Sequence, residues 1–190
     1  VELETGLPWE GWARLKLVHV PEALPAYAIH LRQPAWAGGM RVRWRGEPVL
    51  SVEPVAQPKW DQVAGGCDPR PAVFHALRQE WASGDELSIT FEMPVQLRRA
   101  HPRVEGHRGR VAVTRGPLVY CLESVDNPGM DIFSERLDSR TVSPEWDEEL
   151  LGGIICLDAM TIQAERLTFI PYCLWGNRGP SSMTVWVRTW

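Results

Sequence analysis

Apolar residues at every second position, in short bursts broken by glycine and proline, constrain this chain more than any other feature. In "MRVRW" (40–44), Met40, Val42 and Trp44 alternate with Arg41 and Arg43. That period places one set of side chains on each face of a strand, one dry and one wet. "ARLKLVHV" (13–20) puts Leu15 and Leu17 on one face, and "AYAIHLR" (26–32) does so with Tyr27, Ile29 and Leu31. "RVAVTRGPLVYCLES" (110–124) repeats the pattern with Val111 and Val113, then Leu118, Tyr120 and Leu122. Later, "IICL" and "LTFIPY" suit buried strands, and "MTVWVR" sets Met183, Val185 and Val187 against Trp186 and Arg188. "QPAWAGG" and "RGEP" carry turn chemistry between strands. Sixteen glycines and sixteen prolines argue against a helix bundle, because both residues break helices.

Three segments are less direct. "FHALRQEWASGDELSITFEMPVQL" (74–97) ends in a clean strand pattern, Leu87, Ile89 and Phe91, and "WASGD" predicts a hairpin turn before it. "SVEPVAQPKWDQVAGGCDPRP" (51–71) holds four prolines and a Gly pair, so it predicts a long surface excursion. In "SPEWDEELLGG" (143–153), Ser143 is a candidate N-cap, Pro144 fits the first helical position, and Gly152 and Gly153 would stop a one- or two-turn helix. The last 25 residues predict a strand, a loop and a final strand closing as a hairpin. About ten short strands with turns between them give an all-β chain. The expected architecture is one or two antiparallel, jelly-roll-like β-sandwiches, with at most a short helix near 144–151. A first sandwich over 1–100, lacking its earliest strands, and a second over 101–190 is the division expected.

Composition narrows function by exclusion. With 44% hydrophobic and 23% charged residues and a formal net charge of −4, the chain is of ordinary globular type. It contains no apolar run approaching eighteen residues, so no membrane partner is expected. The basic stretch "RRAHPRVEGHRGR" (98–110) could touch nucleic acid locally, but its Gly and Pro preclude a groove-reading helix and the chain as a whole is acidic. It is better read as a polar connector, and no nucleic-acid partner is expected. His101 and His107 lack an evident third metal ligand. Cys67, Cys121, Cys156 and Cys173 have no CxxC spacing and fit buried free thiols, so no metal site is assigned. No nucleophile elbow or phosphate loop is present, and no residue is given a catalytic role. The side chains best suited to hold a sugar are Trp175, Asn177 and Arg178 in the last loop, with Trp36 as a further ligand or interface candidate. The opening Val1 and acidic start "VELETGLPWEGW" do not form a signal peptide, and suggest a segment of a longer protein. Localisation is not written in the sequence; a cytoplasmic one is favoured.

The stretch "AHPRVEGHRGRVAVTRGPLVYCLESVDNPG" (100–129) resembles the C-terminal region of glycoside hydrolase family 127, the bacterial β-L-arabinofuranosidase family. So do, in order, "LPWEGWARLKL" (7–17), "EWASGDELSITFEMPV" (80–95), "WDEELLGGIICL" (146–157) and "LTFIPYCLWGNRGPSSMTVWV" (167–187). The resemblance implies β-sandwich domains that follow a helical (α/α)6 barrel. In that family a cysteine nucleophile acts beside a zinc held by three Cys and a Glu, all in the barrel. None of the four cysteines here falls on a matching position, so no site residue is carried over. No cofactor is expected in this segment, and zinc is expected in the missing catalytic domain. The implied partner is the catalytic barrel of the same protein, with a second copy of the chain as another candidate. An autonomous carbohydrate-binding module or a dimerisation domain is the alternative reading. Cys173 stands where family members often carry an aromatic residue, and the 51–71 loop looks like an insertion.

Overall fold

The computed structural model describes residues 1–21, 27–52 and 73–189, without the side chains of Ser51 and Val52. It divides into two compact units, Val1–Pro94 and Val95–Trp190. Both are antiparallel β-structures.

The first unit contains β1 (Glu2–Thr5), β2 (Trp12–Lys16), β3 (Ala28–Gln33), β4 (Met40–Trp44), β5 (Glu47–Val52), β6 (Val73–Arg78) and β7 (Glu86–Phe91). Five of these form a sheet in the order β1-β2-β7-β4-β5, and β3 pairs with β6 in a second, two-stranded sheet. The alternating residues face inward as their spacing predicts: Met40, Val42, Leu87 and Ile89 join Ala13, Leu17, Leu77 and Trp81 in one core, with Ile29 and Leu31 packed against it. Leu77 comes from β6 and Leu87 from β7, so the two sheets share that core. The β4–β5 turn has Arg45 at φ 51° and Gly46 at φ 83°. Two consecutive positive φ values match the right-handed twist of the flanking strands in a two-residue hairpin.

The "WASGD" turn exists, but it does not join a hairpin. β6 pairs with β3, whereas β7 lies between β2 and β4. Asp85 explains why the chain changes sheet here. Its Oδ2 accepts the Ala82 N–H at 2.8 Å and its Oδ1 accepts Arg45 Nε at 2.8 Å. Its backbone carbonyl accepts the Leu17 N–H at 2.8 Å. One residue thus ties the turn, the β4–β5 hairpin and the end of β2.

The second unit contains β8 (Val95–Arg98), β9 (Arg110–Arg115), β10 (Leu118–Glu123), β11 (Leu137–Asp147), β12 (Ile154–Thr161), β13 (Arg166–Pro171), β14 (Met183–Thr184) and β15 (Trp186–Arg188). Their order is β11-β12-β13-β10-β9-β15, with β14 on β10 and β8 on β9. A parallel bridge between Arg136, at the head of β11, and Arg188, in β15, joins the two ends of that order. The sheet therefore curls into a nearly closed barrel. Its interior is filled by Val111, Val113, Tyr120, Leu122, Leu137, Leu157, Leu167, Phe169 and Val187. Tyr120, fully buried, donates its hydroxyl to the Ile155 carbonyl at 3.0 Å.

Two sequence expectations change here. Ser143–Asp147 is the end of β11, not a helix: Pro144 pairs with Leu157 and Trp146 with Ile155. β11 is last in the strand order, where a proline costs no ladder bond that a second neighbour would need. The helical signal shrinks to a single 3-10 turn at Leu150–Gly152, entered where Asp147 Oδ1 accepts the Glu149 and Leu150 N–H groups at 3.0 and 2.9 Å. Nor do residues 166–190 close as a hairpin. β13 and β14 both pair with β10, and β15 pairs with β9. The last segment is inserted into the barrel wall, with β10 the shared partner of β13 and β14 and β9 the partner of β15.

Asp85 gives the first unit an acid dependence. Burial pushes its carboxyl up, but the Arg45 guanidinium and the Ala82 N–H outweigh that and hold it below the ordinary value. A folded-state value below the unfolded one means stabilisation that is present above about pH 4 and lost as pH falls through the folded value. Urea melts followed by tryptophan fluorescence should show wild type losing stability in that window by an increment that Asp85→Asn lacks.

Candidate functional site

Trp175, Asn177 and Arg178 lie in the loop between β13 and β14. The loop leaves β13 through a 3-10 turn, Tyr172–Leu174, and uses positive φ at Gly176 (76°) and Gly179 (102°) to fold back. It returns against the end of β10: the Ser124 N–H donates to the Ser182 carbonyl and the Ser182 N–H to Ser124 Oγ, both at 3.0 Å.

At its centre is Glu123, whose side chain is 1% exposed. Its Oε1 accepts the Gly176 N–H at 3.1 Å, and its Oε2 accepts Arg178 Nη2 at 2.7 Å. Arg178 also grips Asp126 with both terminal nitrogens, one of them at 2.6 Å from Oδ2. Two carboxylates thus share one guanidinium, whose proton is held more tightly than usual, chiefly by the bond to Asp126. Asn127 completes the anchor. Its Nδ2 donates to the Glu123 and Thr168 carbonyls at 2.8 and 3.0 Å, and its Oδ1 accepts the Thr168 N–H at 2.9 Å. These bonds stitch the end of β10 to β13.

Arg178 is therefore spent inside the protein. Asn177 is exposed, and its Nδ2 donates to the Leu174 carbonyl at 2.9 Å within its own loop. Trp175 is 43% exposed and stacks on Tyr172, 44% exposed, with ring centroids 6.5 Å apart. Trp36 sits in the first unit, edge-on to Phe91 at 5.6 Å. Trp36 thus belongs to the first unit, and Trp175, Asn177 and Arg178 to one loop of the second. Trp44, in the same unit, packs against Trp81 and lies beneath the Arg45 guanidinium.

Glu123, Asp126 and Asn127 were not singled out from sequence. Their signal is the "ESVDNPG" run, where acids and Asn follow a strand and precede a Pro–Gly turn. Alongside them is a cleft of about 420 Å³ whose walls include Asp126, Glu145, Asp147, Asp158 and Arg166. Three of its four carboxylates already have work: Asp126 holds Arg178, Asp147 caps the 3-10 turn, and Asp158 pairs with Arg166.

The two buried cysteines do not offer reactive sulfur. Burial pushes the Cys121 and Cys156 thiols up to about 12, with nearby carboxylates adding to the shift. Both are protonated at neutral pH, the wrong state for a nucleophile or a zinc ligand. Cys173 is exposed, and Cys67 lies outside the described residues, as do Trp60 and all but the first two residues of the 51–71 loop. Among the described residues no three His, Cys, Asp or Glu side chains come together as a metal site. His101 Nδ1 accepts the Arg103 N–H at 3.2 Å, and His107 stacks on Trp186 with centroids 4.5 Å apart. The described residues thus do not fit the Cys-rich zinc set that the resemblance implies for the barrel.

The fold is a β-region of two units, with the 172–182 loop of the second anchored by Glu123, Asp126 and Asn127. Comparison with known proteins names it. Residues 1–93 match the model of the β-L-arabinofuranosidase GH127 middle domain, and residues 95–188 match that of the glycoside hydrolase family 127 C-terminal domain. The chain belongs to glycoside hydrolase family 127. It is 30% identical to a non-reducing end β-L-arabinofuranosidase of Bifidobacterium longum subsp. longum, over 99% of this chain and 30% of that protein. Among solved structures it resembles a GH127 β-L-arabinofuranosidase from Geobacillus stearothermophilus T6 with a TM-score of 0.77 and 30% identity, over 99% of this chain and 30% of that one. A second, described as a glycoside hydrolase, gives a TM-score of 0.79 at 30% identity, over 98% of this chain and 32% of that one. The chain spans about 30% of the length of these relatives.

Removing Arg178 would leave Glu123 buried without its counter-charge. Arg178→Met should destabilise the second unit by about 3–5 kcal/mol, the usual cost of breaking a buried ion pair from one side. Adding Glu123→Gln to that variant should recover part of the loss in denaturant melts. A loss no larger than that of an exposed arginine would show that the anchor is dispensable.

Proposed function

We propose that this chain is the non-catalytic β-portion of a β-L-arabinofuranosidase-like glycoside hydrolase and supports a catalytic barrel elsewhere in the same protein. The observation that carries this is the end-to-end match to a middle and a C-terminal domain, two units that together cover about 30% of the relatives' length. The chemistry of the described residues supports it. The buried thiols are held protonated, and the candidate sugar-binding polar groups are bonded within the protein. Zinc and a reactive thiol then belong to the barrel. The exposed, stacked Tyr172 and Trp175 are the aromatic surface on which a neighbouring part of the parent protein could rest.

A carbohydrate-binding module would need aromatic faces presented side by side. Trp36 and Trp44 instead turn to protein neighbours, so the supporting role is favoured. The test compares the 190-residue chain, shown to be folded by circular dichroism, with the full-length protein on an aryl β-L-arabinofuranoside. The expected result is turnover by the full-length protein alone. Turnover by the chain itself, abolished by chelation, would overturn the proposal.

A further inference from the structure

The seam of the barrel holds four arginines around one recess. Arg110 in β9 is the register partner of Arg188 in β15, and Arg188 bridges in turn to Arg136 at the head of β11. The three positions run side by side across the two edges that close the barrel. Neighbouring Val111 and Val187 point into the core, so the arginines stand on the outer face. With Arg108, Gly106 and Gly109 they line a recess of about 320 Å³ that no carboxylate lines.

Like charges directly opposite each other in a sheet are destabilising. Local acids relieve this row only weakly. Glu105 reaches only Arg108, at 3.3 Å from the exposed side. Asp131 Oδ1 accepts the Phe133 N–H at 3.1 Å, and its carboxylate acts on Arg188 through space without forming an ion pair. Among the described residues Arg136 and Arg188 form no ion pair with a carboxylate. Arg110 spends one terminal nitrogen on the Trp186 carbonyl at 2.9 Å, which fixes its guanidinium at the recess wall. Elsewhere in this unit Arg140 is matched to Asp138, Arg166 to Asp158, and Arg178 to Glu123 and Asp126.

We propose that this recess is an oxyanion-binding site, taking a phosphate, sulfate or carboxylate group against the guanidiniums of Arg110, Arg136 and Arg188. Guanidinium forks recognise such groups through paired, charge-assisted hydrogen bonds. An oxyanion there would neutralise the row and hold β11 to β15, so occupancy would also stabilise the closed barrel. The group can come from solution or from acidic side chains of the protein outside these 190 residues, and the chemistry is the same.

The probe is inorganic phosphate, titrated into the 190-residue chain at low ionic strength by calorimetry and by thermal melting. The expected result is saturable binding with a raised Tm. Arg136→Gln and Arg188→Gln should each weaken it about tenfold, the size of one lost charge-assisted bond. Both residues are exposed, so these variants should fold, and without phosphate they should melt no lower than wild type because repulsion in the row is relieved. Arg140→Gln, outside the recess, should bind as wild type does. No saturable binding, or equal binding by all variants, would overturn the proposal. The full-length protein then separates the sources: binding retained there means a free anion, and binding lost there means that carboxylates of its own already fill the recess.

Discussion

Glu123 is the constraint around which the second unit is organised. A carboxylate at 1% exposure is tolerable only when its charge is matched and its oxygens are bonded. The matching group comes from Arg178, far along the chain, and the remaining bond from the Gly176 N–H. Satisfying Glu123 therefore requires the 172–182 loop to lie on the end of β10. Once it does, β14 is delivered to β10 and β15 to β9, and the barrel wall is completed. Charge satisfaction and strand order are one problem with one solution.

This arrangement also explains why residues that look like ligands are not available as such. An arginine between two carboxylates is oriented and partly buried, as in a binding pocket, but both terminal nitrogens of Arg178 are already bonded to Glu123 and Asp126. The exposed chemistry of the second unit lies elsewhere, in the Tyr172–Trp175 pair and in the arginine row at the seam. Both are outward-facing features of a body whose interior is closed, which suits a supporting role beside a catalytic partner.

Much of the strand content was legible in the sequence, because period-two alternation reports directly on burial. Met40, Val42, Leu87, Ile89, Val111, Val113, Tyr120 and Leu122 all face the cores that their spacing implies. Pairing was less legible. "WASGD" encodes a turn but not which sheet the next strand joins, and Asp85 makes that choice through bonds to Leu17 and Arg45. "SPEWDEELLGG" carries helix-start signals that the long pairing of β11 with β12 overrides. The Glu123–Arg178 anchor was invisible because its members are 55 residues apart, and nothing local marks either as the other's partner. Family membership was legible from motifs such as "RGPLVYCLE" and "IPYCLWGNRGP", which the structure shows to be β10 with its turn and the loop it holds.

The central claim is that this β-region folds through packing and buried ion pairs, and that metal and reactive sulfur belong to another part of the protein. The most direct measurement is the zinc content and thermal melting of the purified 190-residue chain, with and without a strong chelator. The account predicts no stoichiometric zinc and an unchanged melt. Stoichiometric zinc whose removal unfolds the chain would contradict it, because metal binding would then be part of the folding free energy.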